Sequence, residues 1–343
     1  MKLSKILILS GFLNLFLIGF YLTNSKKQAL CSETQISCPI KKIALLIPAV
    51  HPAMDSIEQG LRLALEQSKK AQYEITTLNG NGNRQLMHAQ IMHVLDSDAD
   101  LIFTVGGGLA SLAQKASVKK QSSKPIICSA VTDPIKLGLV QSLEQPGKNV
   151  TCIIENPAIE KQVALLVAIK TPIKQVLLVY DTTQGAGLEG EKNQLSTALQ
   201  ARNITLKTVE VSNPGEVYPK TAAMITGCDV VIIFKDHTTV SAVDGLIKLC
   251  TQHRVTLMTS DLDSGIKGAA LSFGVEEEMF GQCGAAVARQ ILENGIAVGT
   301  IACREPGSHY LQINQASCKQ QGLEIEAQKM LLLGTTKVVK GPA

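Results

Sequence analysis

Ile126–Thr151, IICSAVTDPIKLGLVQSLEQPGKNVT, decides the fold. Ile126, Ile127 and Cys128 form an apolar run of the length of a buried strand, and the chain then turns polar with Ser129, Thr132 and Asp133. Asp133 reads as an N-cap and Pro134 as the first residue of a short helix. In open parallel sheets ligands sit outside the carboxyl ends of the strands, so this loop could offer hydroxyls, a carboxylate and helix amides to one. A capped loop without a ligand fits the same residues, and the stretch alone does not choose.

Upstream the same unit recurs. Strand Ile43–Ile47 stops at Pro48, and a loop with His51 and Pro52 leads to a helix capped by Asp55, with Glu58 three residues on. A loop histidine such as His51 is more often a local hydrogen-bonding group than a ligand contact. Strand Tyr73–Leu78 is followed by the turn-forming Asn79–Asn83, then by a helix with Leu86, Met87, Gln90, Ile91, Val94 and Leu95 on one side and His88 and His93 expected on its surface. Strand Leu101–Val105 runs into Gly106, Gly107 and Gly108 before a helix beginning near Leu109, where backbone can approach an anion closely. These glycines are not GxGxxG, do not follow the first strand and precede no P-loop lysine, which argues against a nucleotide site.

Pro146-Gly147 turns the chain into strand Asn149–Ile154, and strand–helix alternation resumes. Strands are expected at 175–180, 205–211, 230–234 and 255–259, with helices at 158–169, 190–201, 217–224 and 240–250. Such alternation predicts an α/β chain in two similar halves, with parallel sheets carrying helices on both faces. Polar residues again gather where strands end, at Tyr180–Thr183, Lys235–Thr239 and Ser260–Ser264. Asp236 or Asp261, partly desolvated, would suit an α-ammonium group. Helix capping explains each aspartate singly, whereas three such loops facing three in the other half favour a site between two lobes.

The composition is that of an ordinary globular chain of one or two domains: 343 residues, 45% hydrophobic, 18% charged, net charge +4. No cluster of lysine and arginine interleaved with aromatics is present, so nucleic acid is not an expected partner. Aromatics make up 3% of the chain and tryptophan is absent, leaving an aromatic ligand few rings to stack on. Lys2 and Lys5, the apolar run Ile6–Leu22, and Lys26 with Lys27 form the pattern of a secretory signal or membrane anchor, so the chain is read as exported. Lipid attachment at Cys31 stays open, because Gln28-Ala29-Leu30 match the usual small residues poorly. The nine cysteines show no CxxC or metal-ligand spacing, and neither metal nor cofactor is expected. Most read as small buried hydrophobes, while a Cys31–Cys38 pairing is left open. With no GxSxG elbow and no evident Ser–His–Asp set, a hydrolase is disfavoured.

Four stretches carry a family resemblance: HPAMD (His51–Asp55), SAVTDPIKLGLVQSLEQPGKNVT (Ser129–Thr151), IEKQ (Ile159–Gln162) and SDLDSGIKGAALSFGVEEEMFG (Ser260–Gly281). They resemble the tryptophan/aromatic-amino-acid-binding group of ABC-importer substrate-binding proteins, which have the type I periplasmic-binding-protein fold. The resemblance implies two lobes, each a mostly parallel sheet flanked by helices, joined by three crossovers and closing on a small ligand. Its first lobe would span 41–154 and 274–300 and its second 155–273 with the tail 301–343, after a signal or anchor and linker over 1–40. Ligand contacts carry over to His51, Gly107, Gly108, Ser129, Thr132, Asp133, Asp181, Asp236 and Asp261. It further implies a non-enzymatic protein of the periplasm or cell surface, held at the inner membrane through its N-terminus. The expected ligand is an amino acid, aromatic or other, passed to ABC permease and ATPase subunits; a membrane-anchored sensor of the same fold is the alternative. Gly106–Leu109 replaces a Thr-Pro or Ser-Pro type of loop and His237 stands where asparagine is common, departures that bear on the preferred amino acid rather than the fold.

Overall fold

The computed structural model of the chain describes residues 38–184, 186–325 and 336–339. The apolar N-terminal run and Cys31 lie outside the described residues, among which no helix is long and apolar enough to cross a membrane. In chain order the first elements are β1 (Ile40–Ile47), α1 (Pro52–Glu66), β2 (Gln72–Asn79), α2 (Arg84–Asp96), β3 (Leu101–Val105), α3 (Gly107–Lys119), β4 (Ile126–Val131) and β5 (Val150–Ile154). Next come α4 (Ile159–Ile169), β6 (Gln175–Asp181), α5 (Ala186–Gln200), β7 (Thr205–Val211), α6 (Pro214–Met224), β8 (Val230–Ile233), α7 (His237–Ser241), α8 (Val243–His253) and β9 (Thr256–Thr259). The chain continues through α9 (Asp263–Lys267), β10 (Leu271–Gly274), α10 (Glu277–Leu292), β11 (Tyr310–Asn314), α11 (Gln315–Gln320) and β12 (Thr336–Val339).

Two sheets result. The first is parallel throughout, in the order β2-β1-β3-β4-β5; the second runs β12-β11-β10-β9-β8-β6-β7, with only the β10–β11 pair antiparallel. Strands covered on both faces are apolar almost without interruption, and all five residues of β3 are buried. Alternate residues still go to opposite faces: Leu46, Ile102 and Ile126 pack with α2 and α3, whereas Leu45, Phe103 and Ile127 pack with α1 and α10. The second sheet divides likewise, Leu178 and Ile232 meeting α4 and α5 while Leu177 and Val231 meet α6 and α8.

The chain passes between the sheets three times, after β5, after β10 and before β11, which is the expected two-lobe α/β architecture. The third passage is tied to the first sheet, because Arg304 accepts from Ile154 N (2.7 Å) and donates to Cys152 O (3.0 Å). On the first sheet α10 lies against α1 in backbone contact: a Cβ on Gly281 would stand 2.0 Å from Ile57 O, and one on Gly60 2.1 Å from Glu278 O.

Three local expectations are corrected. The cap of α1 is His51, whose Nδ1 accepts from Ala53 N at 3.2 Å, since Pro52 already holds the φ of a first helical residue. Asp133 does cap, accepting from Lys136 N at 2.9 Å, but the residues after it form a turn and not a helix. Gly138 takes φ +70° there, and the chain bends so that Leu139 and Val140 are buried. The helix expected at 240–250 is divided at Ala242, which ends α7 and precedes α8.

Candidate functional site

The loops at the carboxyl ends of the strands from both sheets line a cavity of about 360 Å³. The first lobe contributes Gly107 and Gly108 after β3 and Thr132 after β4. Lys235 enters after β8, Ser260 and Asp261 after β9, and Glu191 from α5. The passages between the sheets add Glu155, Asn156 and Val275, and Glu277 with Phe280 comes from the first turn of α10. A more open recess of about 720 Å³ shares Gly107, Gly108, Thr132, Glu155 and Glu191 and adds Asp133 and Lys136.

Asp261 brings a buried, unpartnered oxygen to this lining. It is 8% exposed, its Oδ1 accepts from Ser264 N at 2.8 Å, and its Oδ2 has no hydrogen-bonding partner. Burial pushes its carboxyl pKa above the usual carboxylate range. A buried carboxylate oxygen without a partner costs free energy, and a cationic ligand atom would remove that cost. Lys235 shows the opposite state. Its Nζ lies 2.5 Å from Glu155 Oε1 and 2.5 Å from Glu277 Oε1, and 5.4 Å from the centroid of Phe280. Burial opposes its charge, yet the two carboxylates outweigh burial and raise its pKa above that of an ordinary lysine. This triad ties the β8 loop to the first passage and to α10.

The model of the family described as ABC transporter substrate binding protein matches residues 42–339. The chain belongs to that family. Members are extracytoplasmic ligand binders without enzymatic activity, and the two lobes with three crossovers are the type I periplasmic-binding-protein fold. This substrate-binding protein is 25% identical over 300 residues to a tyrosine-binding protein of Clostridioides difficile, covering 87% of this chain and 82% of that one. Among solved structures it is similar to an ABC domain from Streptococcus pneumonia in complex with L-Trp (TM-score 0.75, 20% identity, covering 87% of this chain and 99% of that one). It is also similar to a ligand-free, open substrate-binding protein with adhesive properties from Clostridium difficile (TM-score 0.72, 22% identity, 88% and 100% covered).

Of the residues singled out in the sequence, Gly107, Gly108, Thr132 and Asp261 line the cavity of the substrate-binding protein, and Asp133 lines the recess beside it. His51, Ser129, Asp181 and Asp236 do not. His51 caps α1 and meets His237 edge-on at 5.9 Å; burial, then His237, lower its pKa. Ser129 is fully buried within β4. The carboxylate of Asp181 accepts from Thr183 N, Thr183 Oγ1 and Thr238 Oγ1, and that of Asp236 from Thr239 N and Oγ1. The Asp236 oxygens are spent on their own loop, and those of Asp181 on its own loop and on Thr238 after β8. Sequence reading missed Glu155, Glu191, Lys235, Glu277 and the aromatic pair Phe273 and His309, whose rings stack at 5.2 Å. Lys235 and Phe273 lay inside stretches already singled out; Glu191 had no signal, being one polar residue within a helix.

Glu191 is pushed up to about 7, chiefly by burial and then by Glu155 and Asp236, with Lys235 partly opposing. A carboxyl raised on folding contributes stability that is full below its unfolded pKa and is lost as pH rises toward its folded value. The Glu191→Gln variant is therefore expected to match the wild type in thermal stability near about pH 4.5 and to exceed it at about pH 8. Melting temperatures at the two pH values check this, and an equal difference at both would mean that Glu191 is solvated.

Proposed function

We propose that this protein is the capture component of a bacterial ABC importer, taking an amino acid in the cleft between its lobes and passing it to permease and ATPase subunits. The observation that carries the reading is the unpartnered Oδ2 of buried Asp261, which suits the α-ammonium group. The ligand carboxylate would lie on the free amides of Gly107 and Gly108 at the start of α3, beside the hydroxyl of Thr132. A ligand held this way contacts both lobes, so it binds the closed state better than the open one, and only that difference can drive closure. The tyrosine-binding relative and the L-Trp complex support an amino acid as the class of cargo. The apolar Ile6–Leu22 run would export the protein to the periplasm or cell surface and could hold it at the inner membrane.

Thermal unfolding of the purified protein against each amino acid tests the reading. The cognate one, at about 100 times its Kd, is expected to add about 2.7 kcal/mol of stability. No response to any amino acid would overturn the assigned cargo class. Recovery of a permease and an ATPase with the protein from membranes tests the importer role.

A further inference from the structure

The charge in the cleft is out of balance. Among the described residues its lining holds four carboxylates, Glu155, Glu191, Asp261 and Glu277, against a single ammonium, that of Lys235. That ammonium is already held by both Glu155 and Glu277 at 2.5 Å. Among the described residues, neither Asp261 nor Glu191 forms an ion pair. A zwitterion would bring one cation and one anion and leave the excess as it was. Buried charges are paired in stable proteins, so buried Asp261 calls for a cation from the ligand, and half-buried Glu191, also without an ion pair, would take a second.

Asp261 supports this independently, since it lines the cavity, is more than nine-tenths buried and keeps an Oδ2 without a hydrogen-bonding partner. Glu191 lies one helical turn from Leu188 on α5, and both line the cavity, so an aliphatic segment would have an apolar wall beside the second carboxylate. The aromatic surface, by contrast, is already engaged. Phe273 stacks on His309 at 5.2 Å with planes 9° apart and has Lys161 Nζ 6.0 Å from its centroid, while Phe280 lies under Lys235. The raised pKa of Glu191 agrees with a carboxylate lacking its cation.

We propose that the cleft selects a small molecule with two ammonium-type groups on a short aliphatic chain, one meeting Asp261 and the other Glu191. This rests on the amino-acid reading above and narrows it to basic amino acids; a diamine carries the same pair of cations without the carboxylate.

Calorimetric titration of the purified protein at neutral pH with L-lysine, L-ornithine, L-norleucine, L-tyrosine, L-tryptophan and putrescine decides the matter. Norleucine keeps the chain and both α-groups of lysine and lacks only the second cation. Lysine or ornithine is expected to bind at least about tenfold more tightly than norleucine, a difference of about 1.4 kcal/mol. Glu191→Gln is expected to narrow that gap. If norleucine, tyrosine or tryptophan binds as tightly as lysine, the two-cation ligand is overturned and the amino-acid reading stands. If putrescine binds and no amino acid does, the two-cation ligand stands and the amino-acid reading falls. Binding of none of the six overturns both.

Discussion

Asp261→Asn is expected to remove most of the stabilisation that ligand confers while leaving the ligand-free protein at least as stable as the wild type at neutral pH. The two halves of this result have separate causes. Asparagine keeps an Oδ1 that can accept from Ser264 N, so the hydrogen bond now at 2.8 Å is retained. What changes is the other atom, where an amide replaces the unpartnered carboxylate oxygen. Loss of a hydrogen bond to a charged partner costs about 1.5–3 kcal/mol, or roughly tenfold to a hundredfold in Kd. Burial raises the Asp261 carboxyl on folding, so its stabilising contribution is full only below the unfolded value, about 3.9, and is lost as pH rises through the folded value. Near neutral pH the ionised group is therefore a net cost to the ligand-free fold, and the neutral amide relieves it. Urea unfolding with and without ligand reads both quantities. A variant that is less stable alone and still gains the full ligand shift would make Asp261 a loop cap and nothing more.

Gly281→Ala is expected to destabilise the first lobe by about 3 kcal/mol or more, because overpacking against backbone cannot be relieved by a rotamer change. The added Cβ would lie 2.0 Å from Ile57 O and 2.5 Å from Leu61 N, both atoms of the α1 backbone. Relief requires α10 to move away from α1, carrying Glu277 and Phe280 with it. Gly190→Ala serves as the comparison, since a Cβ there meets nothing within 4 Å and the site is helical. That change should stay within about 1 kcal/mol and tend toward greater stability. Equal unfolding free energies for the two variants would show that α1 and α10 do not touch through backbone.

Strands were the most legible part of the fold. Leu101–Val105 and Thr205–Val211 are strands over the residues expected, because an apolar run closed by turn-forming residues has few alternatives in a parallel sheet. Helix ends were less legible, since several residues compete for each cap. At the start of α1 the sequence reading placed the cap at Asp55, whereas Pro52, by its fixed φ, starts the helix earlier and makes His51 the cap.

The sequence by itself determined which segments become strands and helices and that polar residues collect at the carboxyl ends of the strands. It could not rank those residues. Asp181, Asp236 and Asp261 look alike in sequence, each a strand-end aspartate with a hydroxyl residue two or three positions on. In the folded chain the threonines after Asp181 and Asp236 turn their hydroxyls onto the carboxylates, whereas at Asp261 the backbone amide of Ser264 meets Oδ1 and Oδ2 is left without a hydrogen-bonding partner. Lys235 meets Glu155 from 80 positions away because the passage after β5 runs beside the loop after β8. Local chemistry thus chose the elements, while which carboxylate stays unmatched depends on long-range packing that no short stretch encodes.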